Sequence, residues 1–165
     1  MDFDLPPEDD PRRLAVRAWL DANPDPTGRQ LAAAGYVVPQ WPPPWGLDAD
    51  PVHHVIIDDE LDRAGVRRPG GIGIGWAAPT LLVAGTPEQQ QRFLPGILSG
   101  EDRWCQLFSE PDAGSDLAGL STRAERDGDE YVVTGSKIWS SGAHQSRYGI
   151  LLARTDPEAP KHTGI

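Results

Sequence analysis

Trp104-Cys105-Gln106-Leu107-Phe108-Ser109-Glu110-Pro111-Asp112-Ala113-Gly114-Ser115-Asp116 and Gly135-Ser136-Lys137-Ile138-Trp139-Ser140-Ser141-Gly142 are the two runs on which the fold turns. The first predicts a strand over 104–108 that breaks into a loop crowded with Ser109, Gly114 and Ser115. The second predicts a short strand over 137–141 that presents Trp139 beside the hydroxyls of Ser140 and Ser141. Between them Asp127-Gly128 is a strong hairpin signal, with strands expected over 120–125 and 130–134. A further strand is expected over 148–154. Upstream of Gly100 the period is helical. The chain therefore reads as α+β, with a helical domain over 1–102 and an antiparallel β segment over 103–165.

The helical half is read from its caps. Asp10 can N-cap and Pro11 suits the first position of a helix over 10–22, with Leu14, Ala15, Ala18, Trp19 and Ala22 on one face. Thr27 can cap a short helix ending at Gly35. Proline at 39, 42, 43 and 44 forbids regular structure in the next stretch, and Trp41 and Trp45 can pin it to the helices. Asp50-Pro51 opens a helix through Ala64, with Val52, Ile56, Ile57 and Leu61 as its apolar side. Residues 72–84 are almost wholly apolar, which predicts a buried helix kinked or broken at Pro79. Thr86-Pro87-Glu88-Gln89 is a capping box opening a helix to about Leu98, stopped by Gly100. Gly71, Gly73 and Gly75 lack the spacing and the preceding strand of a dinucleotide fingerprint.

Hydroxyls and free amides on loops at strand ends can hold a polar, anionic cofactor, and an indole beside them is a flat apolar wall for a planar ring. Each residue also has a plainer use. Ser109 could cap the turn begun by Pro111, Ser115 could N-cap a turn running to Leu120, and Trp139 could be core. In order and spacing, residues 107–116 and 135–141 resemble the two signatures of the acyl-CoA dehydrogenases. Residues 127–135 and the segments 85–90 and 93–95 are similar to that family as well, so the resemblance covers about residues 10–165.

The resemblance implies an N-terminal helical domain, a middle β-barrel domain and a C-terminal four-helix domain. This chain would hold the first and roughly half of the second, an N-terminal fragment with an incomplete barrel and no four-helix domain. It implies FAD as cofactor and α,β-dehydrogenation of an acyl-CoA thioester in lipid metabolism, with hydride passing from Cβ to flavin N5. Leu107, Phe108, Ser109, Gly114, Ser115, Trp139, Ser140 and Ser141 would be the cofactor-binding residues, with Ser109 at the pyrimidine edge. Trp139 would lie beside the isoalloxazine and Ser141 at N5 and O4. Ser115 would touch both the FAD pyrophosphate and the acyl-CoA substrate. The catalytic base, a glutamate, would come from the C-terminal region, so no catalytic residue is expected here. Glu110 is not assigned as base, and this chain alone is expected to be inactive. Electron-transfer flavoprotein would be the electron acceptor, and the longer protein a homo- or hetero-oligomer. Two other readings stay open: a flavin monooxygenase or nitroalkane oxidase on the same scaffold, and a non-catalytic partner subunit or fragment.

Composition sets the outer bounds. The net charge of −10, from 15 basic and 25 acidic residues, argues against nucleic acid or an anionic membrane as partner. Phosphate contacts must then be local, made by backbone amides and a few cations. No apolar run approaches the ~18 residues of a membrane span. The acidic start, residues 1–10, lacks the features of a signal peptide. Cys105 is the single cysteine and cannot form an internal disulfide, so a cytoplasmic location is expected, with Cys105 a small buried hydrophobe. His53 and His54 would point ~100° apart on a helix, which suits no shared metal, and none is expected.

Overall fold

The structure, a computed structural model, describes residues 6–165; the first five residues of the acidic start lie outside it. The chain divides into two compact units, one ending at Asp102 and one running from Arg103 to Ile165. The class is α+β, helices first and strands after.

The first unit holds α1 (Pro11–Ala22), α2 (Gly28–Ala33), α3 (Pro51–Arg63), α4 (Ala78–Ala84) and α5 (Pro87–Ser99). The caps are where the sequence puts them. The Asp10 carboxylate accepts from the Arg12 amide, and Thr27 and Thr86 each form a full capping box, with Gln30 and Gln89. Gly100 takes the left-handed conformation, φ 75°, that closes α5. Val16, Leu20, Leu31, Val37, Val38, Ile57, Leu61 and Leu98 form the core, with Trp41 and Trp45 packed against it as expected of the proline-rich connector.

Two helix faces differ from the reading. In α1 the buried line is Arg13, Val16 and Leu20, whereas Leu14 is exposed. In α3 it is Ile56, Ile57, Glu60 and Leu61, and Val52 is exposed. The cause is one ionic network. The Arg13 guanidinium, fully buried, pairs with Asp59 and Glu60, and Glu60 also receives Arg17 Nε at 2.7 Å. A polarity pattern assigns such charges to solvent, but paired they turn inward and rotate the helix faces with them.

Residues 72–84 are also corrected. Pro79 has no N–H to give to Gly75, so the preceding turn widens into a π-helix, Gly73–Ala77, with the Ala78 amide on the Gly73 carbonyl. The segment is not buried all round: Trp76 is 51% and Val83 89% exposed. At the end of α4, the Leu81 carbonyl accepts both the Gly85 amide at 2.9 Å and Gln90 Nε2 at 3.0 Å.

The second unit holds β1 (Trp104–Leu107), β2 (Arg123–Asp127), β3 (Glu130–Thr134) and β4 (Tyr148–Leu151). β2 and β3 form the expected antiparallel hairpin, turning at Gly128 with φ 62°. β1 and β4, however, pair in parallel, Trp104 opposite Tyr148 through Leu107 opposite Leu151. The long excursion between them, which contains the hairpin, is the crossover a parallel pair requires. The Arg154 backbone joins the two pairs, accepting from the Ala124 amide at 2.9 Å and donating to the Thr122 carbonyl at 2.7 Å.

Two expected strands move or vanish. The strand read over 120–125 begins only at Arg123, because the amides of Ser121 and Thr122 are given to Glu110. Residues 137–141 form no strand at all. Trp139 has φ 58°, outside any strand conformation, and the chain runs on through Gly142 at φ 76° into a short 3₁₀ turn, Ala143–Gln145. Among the described residues, no helix is long and apolar enough to cross a membrane, and no group of three or more His, Cys, Asp or Glu could hold a metal ion.

Candidate functional site

All eight residues singled out from the sequence lie in the second unit, at the end of β1 and on the loop after it, and on the segment between β3 and β4. Two adjacent contacts bring these stretches together. The Ile138 amide donates to the Ser109 carbonyl at 2.9 Å, and Lys137 Nζ donates to the Phe108 carbonyl at 2.9 Å. Leu107 ends β1, its carbonyl accepting from the Leu152 amide at 3.2 Å, and Phe108 is buried. The loop is thereby fixed at its root, and Ser109 stands next to the second run.

Glu110 is the anchor the sequence reading passed over. Its carboxylate is buried and accepts from the Ser121 amide at 2.6 Å, the Ser121 hydroxyl at 2.8 Å, the Thr122 amide at 2.9 Å and Lys137 Nζ at 2.8 Å. Burial pushes its pKa up, but the Lys137 ammonium and these amides outweigh burial and hold it well below the usual carboxylate range. A carboxylate held so low is weakly basic, and its oxygens are already engaged by four donors. The sequence offers only the residue types, Glu110 among three acids in the first run and Lys137 in the second; that these two are buried together is seen in the structure.

The plainer uses of the serines are not the ones observed. The turn at Pro111-Asp112 is closed by two main-chain bonds between Glu110 and Ala113, at 2.8 and 3.1 Å, without the Ser109 hydroxyl. The 3₁₀ turn Leu117–Gly119 follows Asp116 and has no side-chain cap, so Ser115 does not cap it. Gly114 and Ser115 are exposed, and a side chain added at Gly114 would meet no atom within 4 Å. Asp116 pairs with Lys161.

Trp139 is 85% exposed and holds φ 58°, so it is not core. A bulky residue in this region is a backbone outlier of the kind that clusters at ligand sites. The Ser141 amide donates to the Trp139 carbonyl at 3.0 Å, and the Ala143 amide to the Ser140 carbonyl at 3.1 Å, so the segment curls tightly past the indole. The Ser140 hydroxyl is buried without a protein partner. Trp139 and Ser141 are thus exposed, whereas the Ser140 hydroxyl between them is not.

Residues 11–101 match the pattern described as acyl-CoA dehydrogenase, N-terminal domain, and residues 105–165 match acyl-CoA dehydrogenase, middle domain. The chain belongs to the acyl-CoA dehydrogenase family. It is 54% identical over 157 residues to acyl-CoA dehydrogenase FadE34 of Mycobacterium tuberculosis, covering 94% of this chain and 22% of that protein. Among solved structures, the steroid acyl-CoA dehydrogenase Tcur3481-Tcur3483 superposes with a TM-score of 0.71 at 38% identity, over 99% of this chain and 47% of that one. The ChsE4-ChsE5 complex from Mycobacterium tuberculosis gives 0.71 at 34% identity, over 99% and 46%. The chain thus spans less than half the length of these relatives.

Proposed function

We propose that the chain carries one wall of an FAD site in an enzyme that α,β-dehydrogenates acyl-CoA thioesters. The observation that carries this is Trp139, exposed and held at φ 58° in the second family signature, beside Ser140 and Ser141. FAD, when bound, supplies the hydride acceptor. The protein's own part is to hold and polarise. Trp139 offers a flat face at low side-chain entropy cost. The hydroxyls of Ser109 and Ser141 are donors for ring edges where negative charge grows, an interaction that counts most in the transition state. Leu107 and Phe108 bring β1's end to the pyrimidine edge. Gly114 leaves room for close approach, and Ser115 serves the pyrophosphate and the acyl-CoA. We assign the base, a glutamate, to the length of the relatives that this chain does not span; Glu110, engaged by four donors, is not assigned to it. The 165-residue chain alone is then inactive and binds FAD weakly or not at all.

Electron-transfer flavoprotein is proposed as acceptor, a homo- or hetero-oligomer as the working form, lipid metabolism as the role and the cytoplasm as its place. The steroid acyl-CoA dehydrogenase among the relatives makes a steroid-derived acyl group the first to try.

FAD titration followed by flavin fluorescence tests the reading, using the protein at its natural length from its native cells. One FAD should bind per chain. Trp139→Ala should weaken it, while Ser141→Ala should slow flavin reduction roughly 5- to 150-fold, the worth of one lost hydrogen bond of about 1–3 kcal/mol. Binding that is indifferent to Trp139 would refute the assignment.

A further inference from the structure

The strained Trp139 poses a question that the flavin reading alone leaves open. A bulky residue persists at φ 58° only where its surroundings over-determine it. The indole cannot do this itself, being 85% exposed. The restraint has to come from the backbone on either side. On the far side the Ser141 amide closes a tight turn onto the Trp139 carbonyl at 3.0 Å. On the near side the chain is held by two consecutive residues, Ile138 through its amide and Lys137 through its side chain.

Lys137 is the stronger of these holds. Its ammonium is buried, 8% exposed, and reaches both the Phe108 carbonyl at 2.9 Å and the Glu110 carboxylate at 2.8 Å. Glu110 is in turn bound to the amides of Ser121 and Thr122. One ion pair therefore ties three stretches: the loop after β1, the lead into β2, and the run carrying Trp139. Charge-assisted hydrogen bonds away from water are stronger than neutral ones, and a buried ammonium left unpaired is costly. A slip of the 137–141 run by one residue would incur that cost.

We propose that Lys137 is a positioning residue: with Glu110 it clamps the register of residues 137–141 against residues 108–110 and so fixes where Trp139 and Ser141 stand. This deepens the flavin reading and rests on it for its purpose. The clamp itself is a property of the chain without cofactor, and can be measured there.

The test is amide hydrogen exchange by NMR on the 165-residue chain, with no FAD present. The reporters are the Ile138 and Ser141 amides, on either side of Trp139, and the reference is the β2–β3 ladder. In Lys137→Met and in Glu110→Gln, the exchange rate of the reporters relative to the ladder should rise about tenfold or more, as expected for local opening. Lys137→Arg, which keeps the charge and the donors, should bring the ratio back toward wild type. If Lys137→Met unfolds the unit, Glu110→Gln, a near-isosteric change, decides alone. A ratio that stays at the wild-type value in Glu110→Gln overturns the proposal, whether because no amide changes or because all change together. Failure of the protein to bind FAD would count against the flavin reading and leave this ratio untouched.

Discussion

Replacing Trp139 should give an unusual order of stabilities. Ordinarily glycine is worse than alanine in a structured segment, by about 0.5–1 kcal/mol, because it loses more backbone freedom on folding. At Trp139 the order should reverse. The residue sits at φ 58°, a region that costs a non-glycine residue roughly 1–2 kcal/mol. Alanine keeps that cost and glycine removes it, so Trp139→Gly should be more stable than Trp139→Ala by about 1 kcal/mol. The indole itself contributes little to the chain. With 85% of it exposed, the covered part is at most ~40 Å², worth about 1 kcal/mol at ~25 cal/mol per Å². Both variants should thus lie within about 1 kcal/mol of wild type, far from the ~3–5 kcal/mol of a core tryptophan. Urea unfolding of the three chains, compared at equal slope, measures this. Glycine falling below alanine would refute the positive φ. A loss of about 3 kcal/mol or more in Trp139→Ala would refute the exposed wall and make the indole a core residue.

Other outcomes follow from the same geometry. Gly135→Ala would put a Cβ 2.7 Å from the Thr122 Cα, a backbone clash, and should destabilise the second unit by about 1–3 kcal/mol in urea unfolding. Glu60→Ala strips one of two carboxylate partners from the fully buried Arg13, which keeps Asp59, and should cost about 1–3 kcal/mol, less than a wholly unpaired buried charge. Acid should weaken the fold through Glu110, Glu60 and Asp59, whose folded pKa values are all lowered. Depressed carboxylates stabilise above their unfolded pKa and lose that contribution as pH falls through the folded one. Urea midpoints should therefore be steady from about pH 7 to 5 and decline below about pH 4, less steeply in Glu110→Gln.

The fold was legible wherever a local signal decides the structure. Asp10, Thr27, Asp50 and Thr86 cap the helices they were read to cap, and Asp127-Gly128 turns the hairpin. It was less legible where a distant partner overrules the local pattern. Arg13 and Glu60 turn inward because they meet across α1 and α3, a pairing that periodicity cannot see. The Ser121 and Thr122 amides leave the ladder because Glu110 claims them, which delays β2. Parallel pairing of β1 and β4 depends on a crossover whose path no short motif encodes. At the candidate site, the residue types Trp139, Ser140 and Ser141 could be read from the sequence. The positive φ of Trp139 could not, since neither its neighbours nor its own side chain favour it. The Lys137–Glu110 pair lies within the two quoted runs, but neither run by itself says that the two charges meet.

The central claim is that Trp139 and Ser141 face a flavin that accepts hydride from an acyl-CoA. It is tested most directly by anaerobic stopped-flow mixing of the natural-length protein with an acyl-CoA panel that includes steroid-derived thioesters, followed at the flavin band. The account predicts bleaching by at least one thioester in the wild-type protein, and slower bleaching by the same thioester in Ser141→Ala. A flavin that no thioester bleaches, or a Ser141→Ala protein that bleaches at the wild-type rate, would contradict it.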